Sequence, residues 1–114
     1  MARTKANPSI EVTRSSGNVF ADLGFADAEE RQTKLRLAFL LNEALKERRL
    51  TQTAAAVALS LGQPKVSALV NYKLDGFSVE RLMSLLTALD RDVEILVKRK
   101  TRSKSAGRIT VVAA

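Results

Sequence analysis

The stretch that decides the fold is LTQTAAAVALSLGQPKVS, residues 50–67. It reads as two short helices joined by a tight turn. If Gln52 is the first position of the motif, the small residue Ala56 falls at the fifth, where two helices cross closely. Leu59 and Val66 fall at the eighth and fifteenth positions, which point into the core between the helices. This spacing is typical of a helix-turn-helix, whose second helix enters the major groove of DNA.

The turn departs from the usual pattern because Ser60 occupies the ninth position, where such motifs usually carry glycine. Ser must adopt the turn without glycine's freedom at positive φ, and we expect Gly62 to absorb part of the strain. Gly62 should also cap the second helix, with Gln63, Pro64 and Lys65 in its first turn. Proline costs little there, since a first-turn N–H has no intrahelical partner. An ordinary helical hairpin is the alternative that the spacing leaves open.

Composition excludes several classes of function. The chain has 114 residues, enough for one small domain with flanking arms, and it contains neither Cys nor His. Disulfides and thiolate metal sites are therefore excluded, and the usual general base and commonest metal ligand are missing. We find no catalytic constellation and predict a protein that is not an enzyme and has no metal or cofactor. No apolar run is long enough for a signal peptide or a membrane span, which predicts a soluble cytoplasmic protein.

The net charge of +7 is unevenly distributed. Residues 1–18 hold three basic side chains and one acidic, residues 19–97 hold ten and eleven, and residues 98–114 hold six and none. The excess therefore lies in the two arms. Inside the domain, the acid-free interval from Glu47 to Asp75 nevertheless contains four basic residues, Arg48, Arg49, Lys65 and Lys73. This local basic island favours a nucleic-acid partner.

We divide the chain into a flexible N-terminal arm (1–18), a helix-turn-helix domain (19–91) and C-terminal β-strands with a basic loop (92–114). The segment 19–25 is short and aromatic and is expected to pack as a turn. A long helix should follow, with Asp27 as its N-cap and its end near Arg49. Its apolar side chains cover more than the one face that packs on the helix-turn-helix. The helix therefore requires a second partner, either the Phe20/Phe25 segment or another subunit.

The period of the pattern changes after the last helix, which Ser78 should cap. Residues 92–98 and 108–112 show the alternation of β-strands, which predicts an antiparallel hairpin with a long basic loop. A lone hairpin is marginal in water, whereas a symmetric dimer would pair the strands across subunits. The predicted fold is mainly α, with four to five helices and a C-terminal strand or hairpin.

Four segments together resemble a known family. Residues 15–24, 63–67, 74–82 and 90–95 are similar to the Xre-type helix-turn-helix regulators, with a lambda-repressor-like fold, and specifically to their HigA-like antitoxin branch. The resemblance implies a DNA-binding homodimer, often encoded beside a RelE/HigB-like ribonuclease toxin that it binds and neutralises. The departures are Ser60 and the pair at 71–72, where these sequences more often carry a basic residue and Gly.

Individual side chains can be assigned to the DNA. Gln63 can make a bidentate contact with adenine, and Lys65 can reach guanine or a phosphate. The first-turn N–H groups of the preceding helix can hold a phosphate, although Thr51 can also be simply its N-cap. A solvated polar face and plain loop solvation are the alternatives for the other positions. The predicted DNA-binding residues are Gln52, Thr53, Gln63, Pro64, Lys65, Ser67, Asn71 and Lys73.

Three functional hypotheses follow for this chain. The leading one is a sequence-specific repressor of its own operon that binds double-stranded DNA and acts as an antitoxin. The second is an Xre-type repressor with no toxin partner. The third is a protein-interaction adaptor that no longer binds DNA. The basic loop 98–108 fits each of them, because it can track phosphate, face an acidic protein or simply aid solubility.

Overall fold

A computed structural model describes residues 19–100 and 107–114, with side chains from residue 27 onward. Within these residues the chain forms four α-helices: α1 Val19–Glu47, α2 Gln52–Leu59, α3 Gln63–Val70 and α4 Val79–Ala88. The chain divides into two units, Met1–Glu30 and Arg31–Ala114. Among the described helices, none has the length and apolarity needed to cross a bilayer. The predicted arm 1–18 lies outside the described residues.

The first helix begins earlier than the sequence pattern predicts. It starts at Val19 instead of Asp27 and ends at Glu47, close to the expected end. The prediction of a turn at 19–25 is therefore wrong, and Asp27 lies inside the helix instead of capping it. Gly24 suggested a break, but a single glycine inside a helix costs only about 1 kcal/mol, which a long helix tolerates.

The core is formed by one face of each helix, by two residues of the segment between α3 and α4, and by Leu89 directly after α4. The two predicted core positions of the motif, Leu59 and Val66, are buried, and so is one apolar face of α1 between residues 37 and 45. Ala55 is buried in the core, and Ala56, the small residue of the motif, is partly buried and packs against it. The buried apolar side chains are Leu37, Ala38, Leu41, Ala44, Leu45, Ala55, Leu59, Val66, Leu69, Leu74, Phe77, Leu82, Leu85, Leu86 and Leu89.

The ends of the four helices share one conformation. Each is followed by a non-glycine residue in the left-handed region: Arg49, Ser60, Tyr72 and Asp90, with φ of 56°, 54°, 59° and 62°. At each end two backbone hydrogen bonds close the last turn; after α2, Leu61 N–H donates to Ala56 O at 2.9 Å and Ser60 N–H to Val57 O at 3.2 Å. This is the Schellman arrangement, in which glycine is the usual left-handed residue.

Ser60 therefore takes the strained position in the turn, as predicted. The expectation that Gly62 absorbs part of this strain is wrong, because its φ of −72° is open to any residue. Tyr72 similarly occupies a left-handed position after α3, a conformation that glycine adopts without a steric cost.

The end of α1 is fastened to the end of α4 by two arginines. Arg48 donates to the Leu89 carbonyl at 3.2 Å and pairs with the Asp90 carboxylate, while Arg91 pairs with Glu47. The ion pairs are solvent-exposed and contribute little stability individually. Their importance is geometric, since they fasten α1 to the point where the C-terminal segment leaves α4.

The described C-terminal residues, 91–100 and 107–114, contain no β-strand, so the predicted hairpin is not formed. A fifth helix is likewise not found in the described part of the chain. The alternating pattern specifies which side chains share a face, but a strand also needs a backbone partner. Val93 and Val111 pack instead against the core, and Arg36 donates to the Val111 carbonyl at 3.4 Å. The turn expected between the strands, 101–106, lies outside the described residues.

Candidate nucleic-acid interface

Helices α2 and α3 form the predicted helix-turn-helix, and each has a defined start. The Thr51 hydroxyl accepts a hydrogen bond from Ala54 N–H at 3.1 Å, so Thr51 is the N-cap of α2. Gly62 is the N-cap of α3 through its backbone, with Pro64 in the first turn, as expected. The first turns of both helices lack acidic residues, so their positive ends are not neutralised locally.

The first turn of α3 presents a polar face to solvent. Gln63, Pro64 and Lys65 are exposed, whereas Val66 in the next position is fully buried. Ser67, one turn beyond Gln63, is half-buried. The helix is therefore held by its apolar face and offers the opposite face outward, as an element that enters a DNA groove requires.

Two of the predicted residues are joined across the motif. The Gln63 side-chain amide donates a hydrogen bond to the Thr53 hydroxyl at 3.1 Å. This contact restrains the rotamer of Gln63 while leaving its amide oxygen and second N–H available. An amide restrained in this way is suited to a bidentate contact with a base edge, because less rotamer freedom is lost on binding.

Lys65 makes contacts that sequence reasoning did not find. Its ammonium group donates to the Gly76 carbonyl at 2.7 Å and lies 4.6 Å from the centre of the Phe77 ring. The ring itself is buried. Lys65 thus connects α3 to the segment that precedes α4. Lys65 and Gly76 do not lie on the same helix, so no local periodic pattern indicated this contact.

The end of α3 is also held by side-chain amides. Asn71 donates to the Ser67 carbonyl at 2.9 Å, and Asn42 of α1 donates to the Leu69 carbonyl at 3.2 Å. Asn42 was not among the predicted site residues. Its amide is a second donor to the Leu69 carbonyl, which also accepts from Tyr72 N–H at 3.1 Å at the end of the helix. Lys73 follows in the loop and is exposed, as is Gln52 at the start of α2.

The arrangement offers hydrogen-bond donors and acceptors on an exposed surface. Among the described side chains, no group of three or more acidic residues is arranged to hold a metal ion. The exposed polar groups instead lie along one turn of a helix and the loops beside it. This distribution suits recognition of an extended polar ligand.

Comparison with known proteins identifies the family. A family model described as "Helix-turn-helix domain" matches residues 19–98. A solved structure whose name assigns it provisionally to the XRE family of transcriptional regulators is 67% identical, with a TM-score of 0.74, and the match covers 77% of this chain and 99% of that one. No curated protein sequence is significantly similar. The chain therefore belongs to the Xre-type helix-turn-helix family.

Proposed function

We propose that this protein is a sequence-specific DNA-binding transcriptional regulator that inserts α3 into the major groove. The observation that carries the proposal is the polar first turn of α3, exposed on a helix whose other face is buried in the core. The name of the 67% identical structure, a transcriptional regulator, supports it. Because its apolar face is packed in the core, such a helix can place its exposed side chains against the edges of the bases without a further folding step.

We assign the roles of the exposed residues, and of the half-buried Ser67, by position. Gln63, restrained by Thr53, reads an adenine, and Ser67 follows it along the same groove. Gln52 and Thr53 at the start of α2 hold a phosphate together with the free N–H groups of that turn. Pro64 presents its ring at the groove. Lys73, exposed in the loop after α3, supplies a phosphate contact, and Asn71 lies beside it at the helix end.

We infer that the functional unit is a homodimer. In the C-terminal segment, Ile95, Leu96 and Val97 are 77%, 81% and 88% exposed, and Phe39 on α1 is 54% exposed. Three consecutive exposed apolar residues on an unpaired backbone are unfavourable in a monomer. A second copy would supply the missing strand partner and cover these side chains. A two-fold dimer would also place two α3 helices on half-sites about 34 Å apart.

The finer proposal is that the protein represses its own operon and acts as the antitoxin of a RelE/HigB-like toxin. Its support is the resemblance of the segments 15–24, 63–67, 74–82 and 90–95 to the HigA-like branch. An Xre-type repressor with no toxin partner is the second candidate, and the name of the similar structure, which mentions only transcription, favours it.

The experiment that tests DNA binding is selection of duplexes from a random pool by the full-length protein, followed by titration at several salt concentrations. We expect enrichment of a two-fold symmetric site and a binding constant that falls steeply with salt. If no sequence is enriched and binding is independent of salt, the DNA-binding proposal fails. That outcome would favour the third hypothesis, a protein-interaction adaptor.

The antitoxin role needs a separate test. Co-expression with the product of an adjacent small toxin-like gene should relieve growth arrest and yield a complex that copurifies. Persisting growth arrest without copurification would contradict the antitoxin role and leave a regulator without a toxin partner.

A further inference from the structure

The contact between Lys65 and the segment before α4 suggests a role that differs from base reading. Its ammonium group is bonded to the Gly76 carbonyl at 2.7 Å and lies 4.6 Å from the Phe77 ring centre. Both distances are within the ranges of direct interactions, one a charge-assisted hydrogen bond and the other a cation–π contact. The positive charge is thus directed from α3 towards the loop.

The other side of this contact is built to accept the ammonium group. Phe77 is 3% exposed, so its ring is a fixed platform. A Cβ atom at Gly76 would lie 2.7 Å from Lys65 Nζ, closer than real Cβ atoms approach other atoms. The φ of Gly76 is not in the left-handed region. A side chain at this position would therefore displace the ammonium group, and the displacement itself costs little because Nζ is the far end of a flexible side chain.

The position of Lys65 within α3 also indicates that its charge needs a partner outside the helix. It lies in the first turn, where the helix dipole is positive and a cation is unfavourable. No acidic residue in that turn compensates for the charge. The Gly76 carbonyl and the Phe77 ring face supply the compensation from another part of the chain.

We propose that Lys65 is a positioning residue of the DNA interface, an inference that rests on the proposed DNA binding. By fastening the first turn of α3 to the 74–77 segment, it sets the orientation of Gln63 relative to the loop that carries Lys73. A base-reading side chain and a phosphate-binding side chain are thereby held in register for the same duplex. The lysine contributes to affinity through this geometry, without a phosphate contact of its own.

The test compares Lys65→Met, which removes the ammonium group, with Gly76→Ala, which displaces it but keeps its charge. Binding is measured on the duplex that the wild-type protein enriches from a random pool. We expect each variant to lose affinity by about five- to twentyfold, which is less than the stability that a charged hydrogen bond and a cation–π contact contribute, because the contact is present in the free protein as well as in the complex. The double variant should be no weaker than the weaker single variant, because both remove the same contact.

Salt dependence separates positioning from phosphate binding. Lys65→Met and Gly76→Ala should keep the wild-type salt slope within about 0.3, whereas the control Lys73→Met should lower it by about 0.9, the value for one phosphate contact. If Lys65→Met lowers the slope as Lys73→Met does, and Gly76→Ala binds like wild type, Lys65 contacts phosphate and the inference is overturned.

A measurement without DNA tests the contact itself. The Phe77 N–H donates to the Leu74 carbonyl at 3.0 Å, and its hydrogen exchange reports on the order of this segment. Exchange should accelerate in Lys65→Met and Gly76→Ala but not in Lys73→Met. Unchanged exchange in both variants overturns the inference while leaving DNA binding intact. If the wild-type protein enriches no duplex, the proposed function fails, and this inference fails with it.

Discussion

Replacement of Ser60 by glycine should stabilise the protein. Ser60 has φ 54° and ψ 45°, and a non-glycine residue in this region costs about 1–2 kcal/mol. Glycine removes that cost, but it loses more backbone entropy on folding, and this loss destabilises the folded state by about 0.5–1 kcal/mol. Because Ser60 is exposed, no packing is lost. The midpoints of these two ranges give a net increase of about 0.75 kcal/mol in the free energy of unfolding.

The assay is reversible unfolding by urea and by heat, followed by circular dichroism. For a domain of this size, the expected gain corresponds to a rise in Tm of about 2–8 °C. The matched control is Ser84→Gly, the same chemical change at an exposed position inside α4, which should destabilise the protein by about 0.5 kcal/mol. If Ser60→Gly lowers stability as much as Ser84→Gly does, the left-handed conformation at residue 60 does not cost what the reasoning assumes.

Three further predictions concern the DNA interface, the core and the dimer. Gln63→Ala should weaken binding to the selected duplex by about 1–3 kcal/mol and relax base preference. Thr53→Val, which removes only the hydrogen bond that restrains Gln63, should weaken binding less. Equal binding by the wild type and both variants in a titration would contradict the assigned roles. Leu82→Ala, at a fully buried position, should lower the urea-derived free energy of unfolding by about 2–5 kcal/mol, and a loss below 1 kcal/mol would place it outside the core. Sedimentation at tens of micromolar should show a dimer for the wild type and a monomer for Leu96→Glu; a monomeric wild type would refute the homodimer.

Local interactions account for the parts of the fold that were predictable. The predicted N-caps at Gly62 and Ser78 are confirmed, and Ser78 accepts from Arg81 N–H at 3.0 Å. Thr51 is the N-cap of α2, which was one of the two interpretations that the sequence left open for it. Capping depends on side chains and backbone groups within three residues of each other, so it can be predicted from the local sequence. The burial of Leu59 and Val66 could also be predicted from the sequence, because the helical period alone assigns them to one face.

The long helix and the C-terminal segment were predicted less well. The start of α1 depends on whether Gly24 and Asp22 interrupt a helix, and helix propensities differ too little to decide this. A β-strand at 92–98 depends on a backbone partner, which residue alternation cannot supply. The described chain contains no such partner, so the segment remains unpaired.

The sequence by itself determined the motif, its helix starts and its buried face, because each of these follows from spacing along a single helix or turn. Only the tertiary structure decided which polar groups meet: Gln63 with Thr53, Lys65 with Gly76, and Asn42 with the carbonyl of Leu69. These contacts join residues 10, 11 and 27 positions apart. They depend on the relative placement of packed helices, which is set by the shapes of all the buried side chains together and leaves no periodic trace in the sequence.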